Sequence, residues 1–467
     1  MNMNLEGNRV SDIKIAYIGG GSRGWAWTFM SELARAEDIS GDVFLYDIDF
    51  DAAQKNEIIG NKFNTANGVK SIWNYHAVKT IEESLCGADF VIISILPGTF
   101  KEMQSDVHTP EKYGIYQSVG DTVGPGGIVR AMRTVPMFEY IGEKIKENCP
   151  DAWVINYTNP MTICVKTLYR VFPKIKAYGC CHEVFGTQKL LAYIVGEELG
   201  IKNIERSEIK VNPLAVNHFT WITQAHYKNT DVFPIYEKYI NEHPEGVEGE
   251  IAGDSNWFVL TANKTHELVK FDLFKRFGYI AAAGDRHLSE FCEGKWYLEN
   301  PERVEKMGFA LTPVVARFED LEARLKKSER LLNDEEAPKI YDTGEEGVHQ
   351  IKALLGFGDL VTNANIPNVG QIPNLPFGAV VETNVTFRSG CVTPVIAGNI
   401  PKEIYPMVSR ICGEQEALNE AIAQRNVTKI FEIFSNDALV TCNINDAQKL
   451  FYEMLDNTKE YLTEYNW

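Results

Sequence analysis

The first 180 residues alternate between short apolar runs and longer segments in which apolar residues recur at helical spacing. The apolar runs have the composition of strands that are buried on both faces. They lie at Ile13–Gly20, Asp42–Asp49, Ser71–Val78, Asp89–Leu96, Ala152–Thr158 and Lys176–Cys181. Most of the intervening segments, such as Ser22–Arg35 and Phe50–Ala66, predict helices. Strands that alternate with helices predict the α/β class, with a doubly wound parallel sheet.

The pattern changes in the second half of the chain. Ile209–Tyr227 alternates apolar and polar residues like an antiparallel strand pair. Leu311–Asn333 predicts a helix with a charged, solvated face, Val380–Phe387 predicts a strand, and the last 60 residues predict helices. We therefore predict two domains, a doubly wound domain over residues 1–200 and a mixed α+β domain over residues 201–467.

Composition and charge restrict the function classes. The 467 residues include 46 Lys and Arg against 64 Asp and Glu, a formal net charge of −18. Such a charge disfavours binding to nucleic acid or to an anionic membrane surface. The sequence has no membrane-spanning apolar run and starts with polar residues unlike a signal peptide. Nine cysteines, without the CxxC spacing of a zinc site, indicate reduced thiols. We therefore expect a cytoplasmic protein.

A glycine-rich turn follows the first predicted strand. The sequence GGGSRG satisfies GxGxxG, and its glycines would let the backbone approach a pyrophosphate at a helix N-terminus. Asp47 ends the second predicted strand, where a carboxylate binds ribose hydroxyls and favours NAD over a 2′-phosphorylated cofactor. An ordinary strand–helix turn with Asp47 as a helix cap is the alternative. The expected cofactor-binding residues are Gly19, Gly21, Ser22, Arg23, Gly24 and Asp47.

Further candidate groups lie in later loops and at later strand ends. Asn159 in YTNP follows the fifth predicted strand, where open α/β sheets bind ligands, although Asn-Pro also forms plain turns. Asp121 lies in the loop GDTVGPGG, which could close over a ligand or simply connect two elements. Cys181 in CHEV and His218 in NHFTW could begin a metal site, although buried thiols and core histidines are more common.

The order and spacing of GGGS, YTNP, CHEV, NHFTW and FGY resemble the NAD- and metal-dependent glycosidases of glycoside hydrolase family four. The resemblance extends from about residue 13 into the helices after residue 400. It implies a Rossmann-type N-terminal domain similar to lactate and malate dehydrogenases, a C-terminal substrate and oligomerisation domain, and a homodimer or homotetramer. It also implies NAD and Mn²⁺, or another divalent metal, as cofactors.

The family's reaction is an elimination assisted by oxidation and reduction. NAD⁺ accepts hydride from C3 of the sugar, a base removes the C2 proton, the group at C1 departs, water adds and the hydride returns. The resemblance implies that Cys181 and His218 bind the metal, which polarises the C3 oxygen. It further implies that Tyr279 in FGY is the base and that Asn159 binds the substrate.

Two residues are candidates for the acid that protonates the leaving group. They are His182, at a position where the phospho-sugar branch of the family has Asp, and Asp121. The CHEV tetrad resembles the α-galacturonidase-type branch, so we expect an α-galacturonide as substrate. Arg286 in GDRH would bind its C6 carboxylate, unless Arg286 forms a salt bridge with Asp285 or Glu290.

Other functions remain open at this point. The family also contains α-glucosidases, α-galactosidases and α-glucuronidases, which a panel of glycosides would distinguish. A lactate/malate-type dehydrogenase would accumulate NADH in proportion to substrate and need no metal. A protein that only senses NAD would bind it and leave every glycoside intact.

Overall fold

The computed structural model describes residues 4–6, 8–247 and 266–467. In this part of the chain the helices are α1 Trp25–Arg35, α2 Phe50–Phe63, α3 Ile81–Leu85, α4 Phe100–His108, α5 Gly124–Asn148, α6 Met161–Val171, α7 Glu183–Leu199, α8 Phe233–Glu242, α9 Leu268–Phe277, α10 Asp285–Phe291, α11 Gly294–Tyr297, α12 Pro301–Lys306, α13 Val314–Leu332, α14 Gly347–Leu354, α15 Tyr405–Ala423, α16 Val427–Asn436 and α17 Ile444–Thr458. The strands are β1 Asn4–Glu6, β2 Arg9–Ile18, β3 Ile39–Tyr46, β4 Trp73–Val78, β5 Phe90–Ile93, β6 Trp153–Asn156, β7 Lys176–Gly179, β8 Ile209–Val216, β9 Phe219–Tyr227, β10 Thr230–Asp231, β11 Ile280–Ala281, β12 Leu360–Pro367, β13 Val380–Arg388 and β14 Cys391–Pro394.

The described strands form one sheet. Its order is β10-β9-β8-β13-β12-β7-β6-β5-β2-β3-β4, with β1, β11 and β14 paired to members of this path. From β7 to β4 the neighbours are parallel. This order is that of doubly wound dinucleotide-binding sheets, which bind ligands beyond the carboxyl ends of their strands where the strand order reverses, here between β2 and β5. The predicted α/β class and parallel sheet are confirmed.

The rest of the sheet is antiparallel. β12 pairs with β7 at Asn365 and Gly179, and β13, β8 and β9 follow in turn. The β8–β9 hairpin confirms the strand pair predicted over Ile209–Tyr227. One sheet therefore extends from the first half of the chain into the second, and the division near residue 200 stays a prediction.

The parallel strands are buried on both faces. Ile15 and Ile92 belong to one apolar layer, and their neighbours Ala16 and Val91 belong to the layer on the other side. All four side chains are fully buried. Helices cover both faces, which explains why these strands read as unbroken apolar runs.

The predicted helices are also present. The helix predicted over Ser22–Arg35 begins later, at Trp25, because the residues before it belong to the glycine-rich turn. The helices α15, α16 and α17 confirm the helical C-terminal region. The charged segment Leu311–Asn333 forms α13, which lies against α2 and α4 of the parallel half. No helix in the described ranges is long and apolar enough to cross a membrane.

Candidate active site

The glycine-rich turn joins β2 to α1 at the carboxyl edge of the parallel strands. Gly19 has φ +96°, and a Cβ there would lie 2.0 Å from the carbonyl oxygen of Ser94, directly after β5. At the end of β3, the Asp47 carboxylate accepts hydrogen bonds of 2.9 Å from the backbone N–H groups of Gly21 and Asp49. The strand, turn, helix and carboxylate of a dinucleotide site are therefore all present in the expected arrangement.

A second group of side chains gathers three potential metal ligands. Asp121, His218 and His287 bring one ligand atom each to within 4.8 Å of the others. The rings of His218 and His287 have centroids 3.9 Å apart. The three residues come from the loop before α5, the β8–β9 turn and the first turn of α10. Topology, and not sequence spacing, brings them together.

The β8–β9 hairpin fixes the position of His218. This residue forms the turn together with Asn217 and has φ +64°, a left-handed conformation that histidine and asparagine tolerate better than most residues. Its Nδ1 lies 3.1 Å from the Thr122 hydroxyl. Burial and the neighbouring His287 lower the pKa of His218 to about 3. The ring is therefore neutral near pH 7, which is the form that binds a metal.

The loop before α5 presents Asp121 to the two histidines. Its carboxylate accepts hydrogen bonds from the Thr122 hydroxyl, at 2.7 Å, and from the Asn159 amide, at 3.2 Å. Burial opposes ionisation of Asp121, but the Arg130 guanidinium, the two neighbouring histidines and the Thr122 hydrogen bond together outweigh this effect, and the pKa of Asp121 falls to about 2. Arg130 in turn donates to the backbone oxygen of Asn159 at 3.2 Å. Asp121 and Asn159 are therefore held together by direct and indirect contacts.

Two buried polar atoms in this group have no hydrogen-bond partner among the described residues. They are Oδ1 of Asn159 and Nδ1 of His287. Buried polar atoms in folded proteins are nearly always partnered, so these atoms fit a site that receives a ligand. Imidazole and carboxylate donors suit first-row divalent metals, and the carboxylate suits Mn²⁺ in particular. The donor set is therefore compatible with the expected metal.

Among the described residues, the Cys181 thiol is not part of the three-residue group. It accepts a hydrogen bond from the side chain of Asn217, the residue before His218. Burial, and after it the charges of Glu382 and Glu183, raise the pKa of Cys181 well above its usual value. A bound cation would have to displace the thiol proton. The structure brings Cys181 near His218, and its role as a ligand stays a prediction.

His182 lies at the start of α7 and has two acidic neighbours. Its Nδ1 is 3.3 Å from Glu345, and its Nε2 is 3.8 Å from Glu183. Burial opposes protonation, but the contact with Glu345 outweighs it, and the pKa of His182 rises to about 9. Its ring lies 6.1 Å from that of Trp25, the first residue after the glycine-rich turn. A protonated imidazole is thus available near the expected cofactor site.

Comparison with known proteins identifies the family of this chain. Residues 14–197 match the family 4 glycosyl hydrolases, and residues 215–440 match the C-terminal domain of the same family. The α-galacturonidase of Thermoanaerobacterium saccharolyticum is 58% identical over 460 residues, which cover 98% of each chain. The chain belongs to glycosyl hydrolase family 4.

Solved structures give the same family 4 fold. The crystal structure of lplD from Bacillus subtilis is 49% identical, with a TM-score of 0.89 over 95% of this chain and 100% of that one. The 6-phospho-β-glucosidase of Thermotoga maritima, solved with manganese, NAD⁺ and glucose-6-phosphate, shares only the fold, at 19% identity. Its TM-score is 0.75 over 96% of this chain and 99% of that one.

Two other residues expected to act in this family 4 enzyme lie outside the three-residue group. Tyr279 is half-buried against the core of the second half and directly precedes β11, whose Ile280 pairs with Ile222 of β9. No described contact joins Tyr279 to His218. Arg286 is 1% exposed and donates from Nε and Nη2 to the backbone oxygens of residues 310 and 118 and to the hydroxyl of residue 312. Both roles stay predictions.

Sequence reasoning missed His287 and Glu183. His287 was part of the motif GDRH, but an isolated histidine after an arginine carries no signal of its own. Glu183 belongs to CHEV. Its ionised carboxylate accepts a hydrogen bond of 2.8 Å from the backbone N–H of Gly284. Its carboxylate also lies 3.7 Å from Nε2 of His287. The pairing of β11 with β9 brings the start of α10 towards the β8–β9 turn.

Proposed function

We propose that this family 4 glycosyl hydrolase is an α-galacturonidase that depends on NAD and a divalent metal. The convergence of Asp121, His218 and His287 beside Asn159, at the same edge of the sheet as the glycine-rich turn, carries the proposal. The full-length relative that is named an α-galacturonidase supports the choice of substrate. The manganese and NAD⁺ in a solved structure of the same fold support the choice of cofactors.

When bound, NAD and the metal supply reversible oxidation at C3 of the sugar and Lewis-acid polarisation of its oxygen. The glycine-rich turn receives the pyrophosphate, and Asp47 accepts hydrogen bonds from the ribose hydroxyls. His218, His287 and Asp121 hold the metal together with Cys181. Asn159 keeps one buried acceptor, its Oδ1, for a sugar hydroxyl.

Proton transfer to the leaving group is assigned to His182 in preference to Asp121. A group that donates a proton must hold one near neutral pH. The pKa of about 9 keeps His182 protonated there, whereas the pKa of about 2 leaves Asp121 ionised and better suited to bind a cation. We retain Tyr279 as the proposed base for the C2 proton and Arg286 as the proposed partner of the substrate carboxylate.

The test is hydrolysis in D₂O by the full-length protein. Purified enzyme with NAD⁺, Mn²⁺ and reductant is offered nitrophenyl α-galacturonide, α-glucuronide, α-galactoside and α-glucoside. We expect the galacturonide to be cleaved with the highest kcat/KM and the released sugar to contain solvent deuterium at C2. Cleavage without deuterium at C2 would exclude the elimination mechanism. A preference for another glycoside would exclude the substrate assignment, and accumulation of NADH in proportion to substrate would indicate a dehydrogenase.

A further inference from the structure

Helix α13 belongs to the second half of the sequence, but both of its ends contact the nucleotide half, which is the part of the molecule built on the parallel strands β2 to β7 and their helices. At its C-terminal end, Lys62 of α2 donates to the backbone oxygens of Leu331 and Leu332, each at 2.8 Å. The Lys55 ammonium also pairs with Glu329 at 2.8 Å. These contacts join α13 to the helix that follows the Asp47 strand.

The remainder of α13 continues across the same surface. Lys327 lies over the Trp27 ring of α1, 5.6 Å from its centroid. Phe318 packs edge-on against Phe100 of α4, with centroids 5.8 Å apart. The helix therefore spans α2, α1 and α4 and crosses the nucleotide half beside the glycine-rich turn.

In the middle of this span, Arg324 lies directly against the turn. A Cβ built on Gly24 would lie 2.0 Å from Nη1 of Arg324 and 3.3 Å from its Cζ. The Nε atom of Arg324 is paired at 2.8 Å with Asp320, one helical turn earlier, which orients the guanidinium. The Arg324 side chain is 41% exposed, so it borders the turn from the solvent side.

The glycine-rich turn itself carries little positive charge that could bind a diphosphate. Gly24 caps α1 without a side-chain hydrogen bond, so the first N–H groups of that helix are available to an anion. Arg23, the cation within the turn, acts electrostatically on Asp47, at the ribose end. In a chain of net charge −18, a local cation at this point would favour binding of an anionic cofactor.

We propose that Arg324 binds the pyrophosphate of the dinucleotide beside the N-terminus of α1. The guanidinium is planar and can pair with two phosphate oxygens at once. The proposal rests on the proposed use of NAD. It adds a cofactor contact from outside the glycine-rich turn, 300 residues later in the sequence. It also means that bound NAD would hold α13 against the nucleotide half.

The test compares ligand binding by Arg324→Gln and Lys326→Gln in the full-length protein. Lys326 is the matched control, since it lies on the same helix, is 68% exposed and pairs with Glu322. Binding of NAD⁺ and of adenosine, which has no phosphate, is measured by isothermal titration calorimetry without substrate. We expect Arg324→Gln to weaken NAD⁺ binding about 10-fold and to leave adenosine binding unchanged. The free energy contributed by a charge-assisted hydrogen bond lies at the low end of its range when the site is partly exposed. Lys326→Gln should bind both ligands as wild type does.

Three outcomes would overturn the inference. Equal NAD⁺ affinity in wild type and Arg324→Gln would show that Arg324 does not contact the cofactor. Equal losses for NAD⁺ and adenosine would show a general disturbance of the site, and Arg324→Lys, which keeps the charge, would then fail to restore selectivity for NAD⁺. A wild-type enzyme that binds no NAD⁺ would overturn the proposed function as well, so the two failures are distinguishable.

Discussion

At the scale of single residues, the site depends on a few buried groups whose protonation states differ sharply. His218 is neutral, Asp121 is ionised and His182 is protonated near pH 7, because burial and different neighbours act on each. Groups with pKa values driven apart in this way are typical of sites that both bind cations and transfer protons. Two predictions concern single residues.

The first prediction concerns the metal. His287→Ala should weaken Mn²⁺ binding at least about 100-fold. Mutation of residues that only hydrogen-bond to metal ligands already lowers metal affinity about 10- to 100-fold, and loss of a ligand should lower it further. Calorimetric titration with MnCl₂ measures the effect. His226→Ala, an exposed histidine on β9, should bind Mn²⁺ like wild type. Undiminished Mn²⁺ affinity in His287→Ala would remove His287 from the site.

The second prediction concerns substrate choice. Arg286→Ala should reduce the ratio of kcat/KM for the galacturonide to that for the neutral galactoside by about 10-fold or more, because a carboxylate loses a charged partner. Arg286 also donates hydrogen bonds to two backbone oxygens, so thermal denaturation of the variant checks that it still folds. Steady-state kinetics on both glycosides give the ratio, and an unchanged ratio would assign Arg286 to structure alone.

Residue identity predicted part of this site. Asp47, Asn159 and His218 stand out in the sequence because each follows a recognisable strand or motif. His287 does not, since its neighbours in space are distant in sequence. The contact between Asp121 and Asn159 was also not predictable, because it joins a loop to a strand end 38 residues away.

At the scale of elements, α4 and α5 are joined by a buried ion pair. Arg133 binds both carboxylate oxygens of Asp106, at 3.1 and 2.5 Å, and both side chains are at most 1% exposed. The pair fixes the first half of α5, and the loop that precedes this helix contains Asp121. Breaking a buried pair leaves a charge without compensation, which is far more costly than losing a surface pair.

Arg133→Met should therefore destabilise the protein by about 3–5 kcal/mol. Lys146→Met, on the same helix, removes the partner of Glu143 in a pair whose side chains are 48% and 49% exposed, and it should cost no more than about 1 kcal/mol. Urea denaturation followed by fluorescence compares the two variants. Similar losses of stability would contradict the importance given to the buried pair.

The elements of the parallel half were predictable, because strands buried on both faces leave continuous apolar runs. β12 was not predicted. Its sequence LVTNANIP places Asn363 and Asn365 inside the sheet, and Asn363 donates to the buried Glu382 at 2.8 Å. Buried polar residues that form hydrogen bonds with one another across strands replace apolar residues in the sequence. The alternation of apolar and polar positions, on which strand prediction depends, is then lost.

At the scale of the whole molecule, the proposed metal ligands join three distant parts of the chain. Mn²⁺ at 100 times its dissociation constant should stabilise the folded state by about 2.7 kcal/mol. The melting temperature should therefore rise when Mn²⁺ is added and fall again with EDTA. Differential scanning calorimetry measures this shift, which should be absent in His287→Ala. A wild-type protein that melts at the same temperature with and without Mn²⁺ would contradict the site.

The family resemblance also predicts the assembly. We expect a homodimer or homotetramer, with a mass of about two or four times the 52.7 kDa of one chain. Size-exclusion chromatography with light scattering gives the mass directly. A particle of one chain would contradict the expectation without affecting the proposed chemistry.

The position of α13 has a consequence for the order of events during synthesis. Gly24 leaves the ribosome 300 residues before Arg324. At about 5–20 residues per second, about 15–60 s separate the synthesis of Gly24 from that of Arg324. The parallel strands β2 to β7 are complete long before then. The newborn chain could therefore acquire NAD while this side of the turn is still open, and α13 would then close over a cofactor already in place.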